Sequence, residues 1–74
     1  MKRVRTGARY VYRPVGWDVW YPIEPRPVVG SVVTVVRLPG APPPNAMGHC
    51  YVDDKDGHFA GLVSVASLQP RGTA

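Results

Sequence analysis

The chain has 74 residues, a net charge of +4, 45% hydrophobic residues and a single cysteine. This length accommodates one domain, and the hydrophobic share excludes a disordered protein. One cysteine excludes an intramolecular disulfide, and the spacing of Cys50, His49 and His58 does not match a structural zinc site. No apolar run has the length of a signal peptide core or a membrane span, so we expect a cytoplasmic protein that does not enter a membrane.

Nine prolines and eight glycines are spread among valine, tyrosine and tryptophan, a pattern typical of short strands joined by turns. The first strand is predicted over about residues 8–13, where Tyr10 and Tyr12 alternate with Arg9 and Arg13. Alternation of this kind places the tyrosines on one face of a strand and the arginines on the other.

Residues 14–27 form a long excursion between the first two strands. Prolines at positions 22, 25 and 27 predict that this stretch contains neither a helix nor a regular central strand. Trp17, Val19 and Tyr21 alternate with Asp18 and Trp20, which indicates a short ribbon inside the excursion.

The second strand is predicted over residues 28–38, which are β-branched almost throughout. Valines occupy both of its faces, whereas a strand with one solvent face would alternate with polar residues. The second face is therefore expected to be covered by the excursion, by curvature of the strand across a barrel, or by another subunit. A proline-rich connector, Pro42 to Pro44, then leads to the third strand as a stiff rim, with Asn45 and Met47 as its distinctive side chains.

A hairpin is predicted around a two-residue turn at Asp56-Gly57, between strands at about 48–53 and 58–63. In the resulting register Tyr51 faces Leu62, Val52 faces Gly61 and Asp53 faces Ala60. The side chains expected on the inner face are Cys50, Val52, Phe59, Val63 and Val65. Residues 64–70 indicate a helical or 3₁₀ turn followed by a last strand at about 67–69.

This order of connections resembles the SH3-like small β-barrel, in which a long loop, a medium loop, a tight hairpin and a 3₁₀ turn separate five strands. "ARYVY", from residue 8, looks like the first-strand segment of that family. "GHFAGLVSVASLQP", from residue 57, is similar to its run from strand four through the 3₁₀ turn into strand five. The resemblance implies an all-β fold: a small five-stranded SH3-like barrel with a long first loop and a single 3₁₀ turn near the C-terminus.

The chain departs from the peptide-binding members of that family. They carry a tryptophan at the start of strand three, where this chain has His49 and Cys50. They also carry a proline and a tyrosine at the 3₁₀ turn, where this chain reads Val-Ser-Val-Ala-Ser. Recognition of proline-rich peptides in the usual way is therefore not expected.

The residue pattern does not favour an enzyme. His49 and Cys50 are adjacent, so a strand points them to opposite faces, and the hairpin register separates His49 from His58 by roughly 18–20 Å. The acidic tip at Asp53, Asp54 and Asp56 is typical of a solvated turn. We expect no catalytic residues, no metal site and no cofactor.

Basic and aromatic residues are concentrated in the first part of the chain. Aromatic rings stack on bases and arginines contact phosphates, but the same residue types anchor protein interfaces, and they also fill the core of a small barrel. At least two of the following five aromatic residues are expected in the core: Tyr10, Tyr12, Trp17, Trp20 and Tyr21. The candidate binding residues are Lys2, Arg3, Arg5, Arg9, Tyr10, Tyr12, Arg13, Trp17 and Trp20.

The sequence divides into a basic N-terminal arm at residues 1–7, a barrel domain at 8–70 and a flexible tail at 71–74. The first functional hypothesis is a non-enzymatic module that contacts nucleic acid or a ribonucleoprotein through the basic arm and the neighbouring aromatics. The alternative is a protein-interaction module, or a small homo-oligomeric subunit of a larger assembly such as a phage particle.

Overall fold

A computed structural model describes residues 4–20, 24–41 and 48–71 of the chain. Within them, one antiparallel sheet has the strand order β4-β3-β2-β1-β5, and it is not closed, because β4 and β5 remain its edges. This confirms a small, mainly β fold with five strands. The strands are β1 (Arg9–Tyr12), β2 (Val32–Val36), β3 (His49–Asp53), β4 (Phe59–Ser64) and β5 (Leu68–Pro70).

The core lies on one face of the sheet, which we call the inner face. Strand alternation brings valines of three strands and Tyr12 of β1 to this face, where Tyr12 is 1% exposed. The buried apolar residues are Val4, Tyr12, Val33, Val35, Cys50, Val52, Ala60, Val63, Val65 and Leu68.

The valine-rich strand is shorter than predicted. β2 covers only Val32–Val36, and Val28 and Val29 lie in a turn with 76% and 60% of their surfaces exposed. Gly30 forms this turn with φ +84°, a conformation that favours glycine, and its N–H donates to the Tyr12 carbonyl over 2.7 Å. The strand therefore begins only after this turn, although the valines in the turn have high β propensity.

Two predictions for the excursion are wrong. One helical turn, α1 (Trp17–Trp20), lies where a ribbon was predicted, and it lies in a stretch that was predicted to contain no helix. The Val19 N–H donates to the Gly16 carbonyl over 3.0 Å. Proline restricts its own position and the residue before it, so the stretch between Pro14 and Pro22 leaves room for a single turn.

The β3–β4 register is confirmed over most of its length. His49 pairs with Ser64, and the predicted pairs Tyr51–Leu62 and Val52–Gly61 are present. A β-bulge then shifts the register, so that Asp53 pairs with Phe59 rather than with Ala60.

The bulge moves Phe59 to the outer face, where 46% of its surface is exposed and its ring lies 6.0 Å from that of Tyr51. The prediction of an inward Phe59 is therefore wrong. The two-residue turn is also wrong, because the Asp54 N–H donates to the His58 carbonyl over 2.7 Å and encloses a three-residue loop. Gly57 takes the left-handed position of that loop, with φ +83°.

The turn before the last strand is confirmed as a 3₁₀ helix at Val65–Ser67. The Ser64 hydroxyl caps it by accepting the Ala66 N–H over 3.3 Å. β5 then pairs with β1, with Leu68 opposite Tyr12.

Candidate partner-binding surface

A buried carboxylate fixes α1 to the end of β4. Asp18 is 3% exposed, and its two carboxylate oxygens accept the Ser64 backbone N–H over 3.0 and 2.9 Å. The Ser67 hydroxyl donates a short hydrogen bond to the same carboxylate. The Ser64 N–H, shared between the two oxygens, and the Ser67 hydroxyl together offset part of the cost of removing a charged group from water.

Ser67 also forms hydrogen bonds with the start of the excursion. Its hydroxyl oxygen accepts the Val15 N–H over 3.0 Å, and its carbonyl accepts the Arg13 N–H over 2.8 Å. Ser67 itself is fully buried. The segment from Arg13 to Asp18 therefore has a fixed position on the 3₁₀ turn.

The excursion also packs against β4 at Gly61. A methyl group built on Gly61 would overlap the carbonyl oxygen of Pro25 and lie 2.8 Å from its carbonyl carbon. The second arm of the excursion thus reaches the same strand as α1 does. The Arg26 guanidinium donates to the Asp18 carbonyl over 3.3 Å and links the two arms.

The site makes Cys50 a poor nucleophile. Burial, with a smaller contribution from the Asp18 charge, raises the pKa of the Cys50 thiol to about 11. The same two causes, burial first, raise the pKa of Tyr12, and the Arg26 charge partly opposes them. Thiolate is the reactive form of cysteine, so Cys50 behaves here as a small buried apolar residue.

The helix α1, which the Asp18 bonds hold in place, carries an aromatic surface. The Trp17 ring meets the His49 ring edge to face, with centroids 6.2 Å apart and planes at 83°. Trp20, one helical turn further along, is 77% exposed, and Val19 is 54% exposed. We call Trp17, Val19, Trp20 and His49 the α1 surface.

The predicted aromatic cluster is divided by the fold. Tyr12 is in the core, and Tyr10 is partly buried against it, with its hydroxyl accepting the Arg5 N–H over 3.1 Å. Trp17 and Trp20 are on α1 instead. The expectation that some aromatic residues fill the core is met by Tyr12 fully and by Tyr10 in part.

The predicted basic residues that the structure describes are all exposed. Arg9 and Arg13 are exposed at the start and just past the end of β1. Arg5 is exposed in a short turn, where its carbonyl accepts the Ala8 N–H over 3.0 Å, and the Gly7 N–H donates to the Val35 carbonyl over 2.7 Å. Predictions concerning Lys2, Arg3, Tyr21, Asn45, Met47, the three prolines at 42–44 and the tail beyond residue 71 fall outside the described residues.

Sequence reasoning missed the central role of Asp18. Its position between Trp17 and Val19 looked like the polar half of an alternating ribbon, and nothing local marks Ser64 and Ser67 as its partners.

A metal-binding cluster and a membrane-spanning helix are both absent from residues 4–20, 24–41 and 48–71. This part of the chain contains no group of three His, Cys, Asp or Glu side chains arranged to hold a metal ion. None of its helices has the length and apolar character required to cross a bilayer. No protein-family model, curated protein or solved structure matches the chain.

Proposed function

We propose that this protein is a non-enzymatic binding module with the architecture of an SH3-like barrel. The sequence of connections supports that architecture: a long excursion after β1, a shorter connector after β2, a tight hairpin, and a 3₁₀ turn before β5. Pairing of β1 with both β2 and β5 also fits a small barrel in which the first and last strands meet.

The partner that best fits the α1 surface is another protein. The observation that carries this proposal is Trp20, which is 77% exposed on a helix whose position is fixed by the buried Asp18. Tryptophan is enriched among the residues that contribute most to protein interfaces, and a rigid surface loses little entropy on binding. The Trp17–His49 pair beside it extends the apolar contact area.

Nucleic acid is the second candidate partner. Arg5, Arg9 and Arg13 are all exposed, and the net charge of +4 favours contact with phosphates. Trp20 offers a face on which a base can stack. We place this candidate second because burial of Tyr12 and partial burial of Tyr10 remove two of the expected stacking rings.

Affinity capture with a matched control tests the protein partner. The immobilised chain is compared with Trp20→Ala and with Val28→Ala, which removes an equally exposed apolar side chain from the 28–31 turn. We expect the original chain and Val28→Ala to retain the same specific proteins. Trp20→Ala should retain at least about tenfold less of them. Equal retention by all three would refute the assignment of the α1 surface.

Fluorescence anisotropy with a labelled mixed-sequence oligonucleotide tests the second candidate. Phosphate contacts predict that binding weakens steeply between about 50 and 200 mM salt. Replacing Arg5, Arg9 and Arg13 with Ala removes that binding, whereas Arg37→Ala, a change of another exposed arginine, preserves it. Binding that ignores salt, or survives the triple replacement, contradicts the proposal.

A further inference from the structure

The outer face of the sheet carries six apolar side chains although it is turned away from the core. An antiparallel sheet with one solvent-exposed side normally carries polar residues on that side. Within the described part of the chain, the apolar side chains on this face are partly buried, except that of Phe59, which is exposed. They are Val11, Val32, Val36, Tyr51, Phe59 and Leu62.

Two opposite charges lie on the same face, in one row across three strands. Arg9 pairs with Thr34, and Thr34 pairs with Asp53. Neighbouring strands are about 4.8 Å apart, so Arg9 and Asp53 flank Thr34 at nearly equal distances. Arg9 is exposed and Asp53 is partly buried.

We propose that a second copy of this chain packs against the outer face, about a two-fold axis that runs along β2 and passes over Thr34. Such an axis places β1 of one copy over β3 of the other. Arg9 of each copy then lies against Asp53 of the other copy, and the row forms two equivalent ion pairs. Val32 and Val36 of β2 meet their own counterparts along the axis, on either side of Thr34.

The charge pattern is what selects a second copy as the occupant. A two-fold interface must be complementary to itself, and a positive and a negative side chain at equal distances on either side of the axis satisfy that condition. The two ion pairs would lie beside the Thr34 contact at the middle of β2, and the Val32 and Val36 contacts would lie on either side of them along the strand. By strand alternation His49 of the α1 surface lies on the same face of β3, but it lies outside the Arg9–Thr34–Asp53 row, so the proposal goes beyond the partner-binding function.

Light scattering coupled to size-exclusion chromatography tests the proposal, with the protein over a wide concentration range. The mass is expected to rise from 8.1 kDa towards twice that value as concentration increases. Arg9→Asp and Asp53→Arg each place like charges together and should raise the dissociation constant at least about tenfold. Arg37→Asp makes the same change of charge at an exposed position outside the row and should leave the dissociation constant unchanged.

Mixing the two single variants gives the decisive result. In the mixture, an Arg9→Asp copy has two carboxylates in its row and an Asp53→Arg copy has two guanidinium groups. Opposite charges then meet at both ends of the row, so the mixture should form a heterodimer although each variant alone is monomeric. If each substitution only disturbed the structure of its own copy, mixing the two variants would not restore the dimer.

Three outcomes would each overturn the proposal. They are an original chain that is monomeric at every concentration, a dimer unaffected by Arg9→Asp, and a mixture of the two variants that stays monomeric. Partner capture by the α1 surface is measured separately, so the two proposals fail independently.

Discussion

The carboxylate of Asp18 and the backbone N–H of Ser64, which are 46 positions apart in the chain, are joined by hydrogen bonds of 2.9 and 3.0 Å. This contact connects the excursion, with its exposed tryptophan, to the junction between β4 and the 3₁₀ turn. The stability of the fold and the orientation of the α1 surface therefore depend on the same carboxylate.

Asp18→Asn is expected to lower the free energy of unfolding by about 2–3 kcal/mol, the usual contribution of hydrogen bonds to a buried charged acceptor. The amide offers one acceptor oxygen in place of two, and its NH₂ group faces donors. Urea denaturation followed by tryptophan fluorescence measures the effect. Asp56→Asn, at an exposed position, is the control and should shift the midpoint little. Equal midpoints for both variants would show that the Asp18 bonds contribute nothing net.

Gly61→Ala is expected to destabilise the protein by about 3 kcal/mol or more, because overpacking and backbone strain add. The new methyl group collides with the backbone of Pro25, and Gly61 has φ +134°. Gly57→Ala provides the comparison, since it has φ +83° but no atom within 4 Å of the added carbon. Thermal unfolding should show a clearly larger decrease in melting temperature for Gly61→Ala than for Gly57→Ala. Similar decreases would argue against close packing of the excursion against β4.

Cys50 is expected to resist thiol reagents in the folded protein. Its pKa of about 11, against 9.0 for an unperturbed thiol, leaves about one hundredth of the usual thiolate at neutral pH, and the side chain is 4% exposed. Labelling with a chromogenic disulfide at increasing urea concentration should follow global unfolding. Rapid labelling without urea would show that the sheet opens locally at β3.

The hairpin loop should respond to acid through Asp54. The His58 and Asp56 N–H groups donate to its Oδ1 over 2.9 and 2.8 Å and hold its pKa below the ordinary value of 3.8, the His58 bond contributing most. A lowered folded-state pKa means that the carboxylate stabilises the loop above pH 3.8 and that this stabilisation is lost as pH falls through the lower value.

Nuclear magnetic resonance of the backbone amides measures this transition. The His58 amide should shift with a midpoint below 3.8, and Asp54→Asn should abolish the shift. A midpoint at or above 3.8 would mean that the loop bonds do not form in solution.

Local patterns predicted the elements of this fold better than the contacts between them. Alternation predicted β1, β-branching predicted β2, and the Asp56-Gly57 turn signal predicted β3 and β4 together with the pairing of Tyr51 with Leu62. The bulge beside Asp53 was not predicted, because Asp-Gly fits both a two-residue turn and the second half of a three-residue loop. This ambiguity explains why the sequence predicts that Phe59 lies on the inner face.

The candidate site depended on contacts that are distant in sequence. Trp17 meets His49 through the packing of the excursion, and Asp18 meets Ser64 and Ser67 across most of the chain. Neither contact has a local signal, since the same residue types are common on solvated loops. Composition indicated a basic and aromatic binding surface, but burial of Tyr12 could be decided only by the fold.

The position of β1 between β2 and β5 has a consequence for the order of folding. The β3–β4 hairpin closes a short loop, whereas the pairing of Tyr10 with Pro70 must bring together distant parts of the chain, which costs more entropy. A polypeptide still attached to the ribosome, with only β1 to β4 released, would lack Leu68 from its core and would expose one bare edge of β1. The sheet therefore reaches its full cooperativity only after translation has passed residue 70, and we expect this step to limit the folding rate.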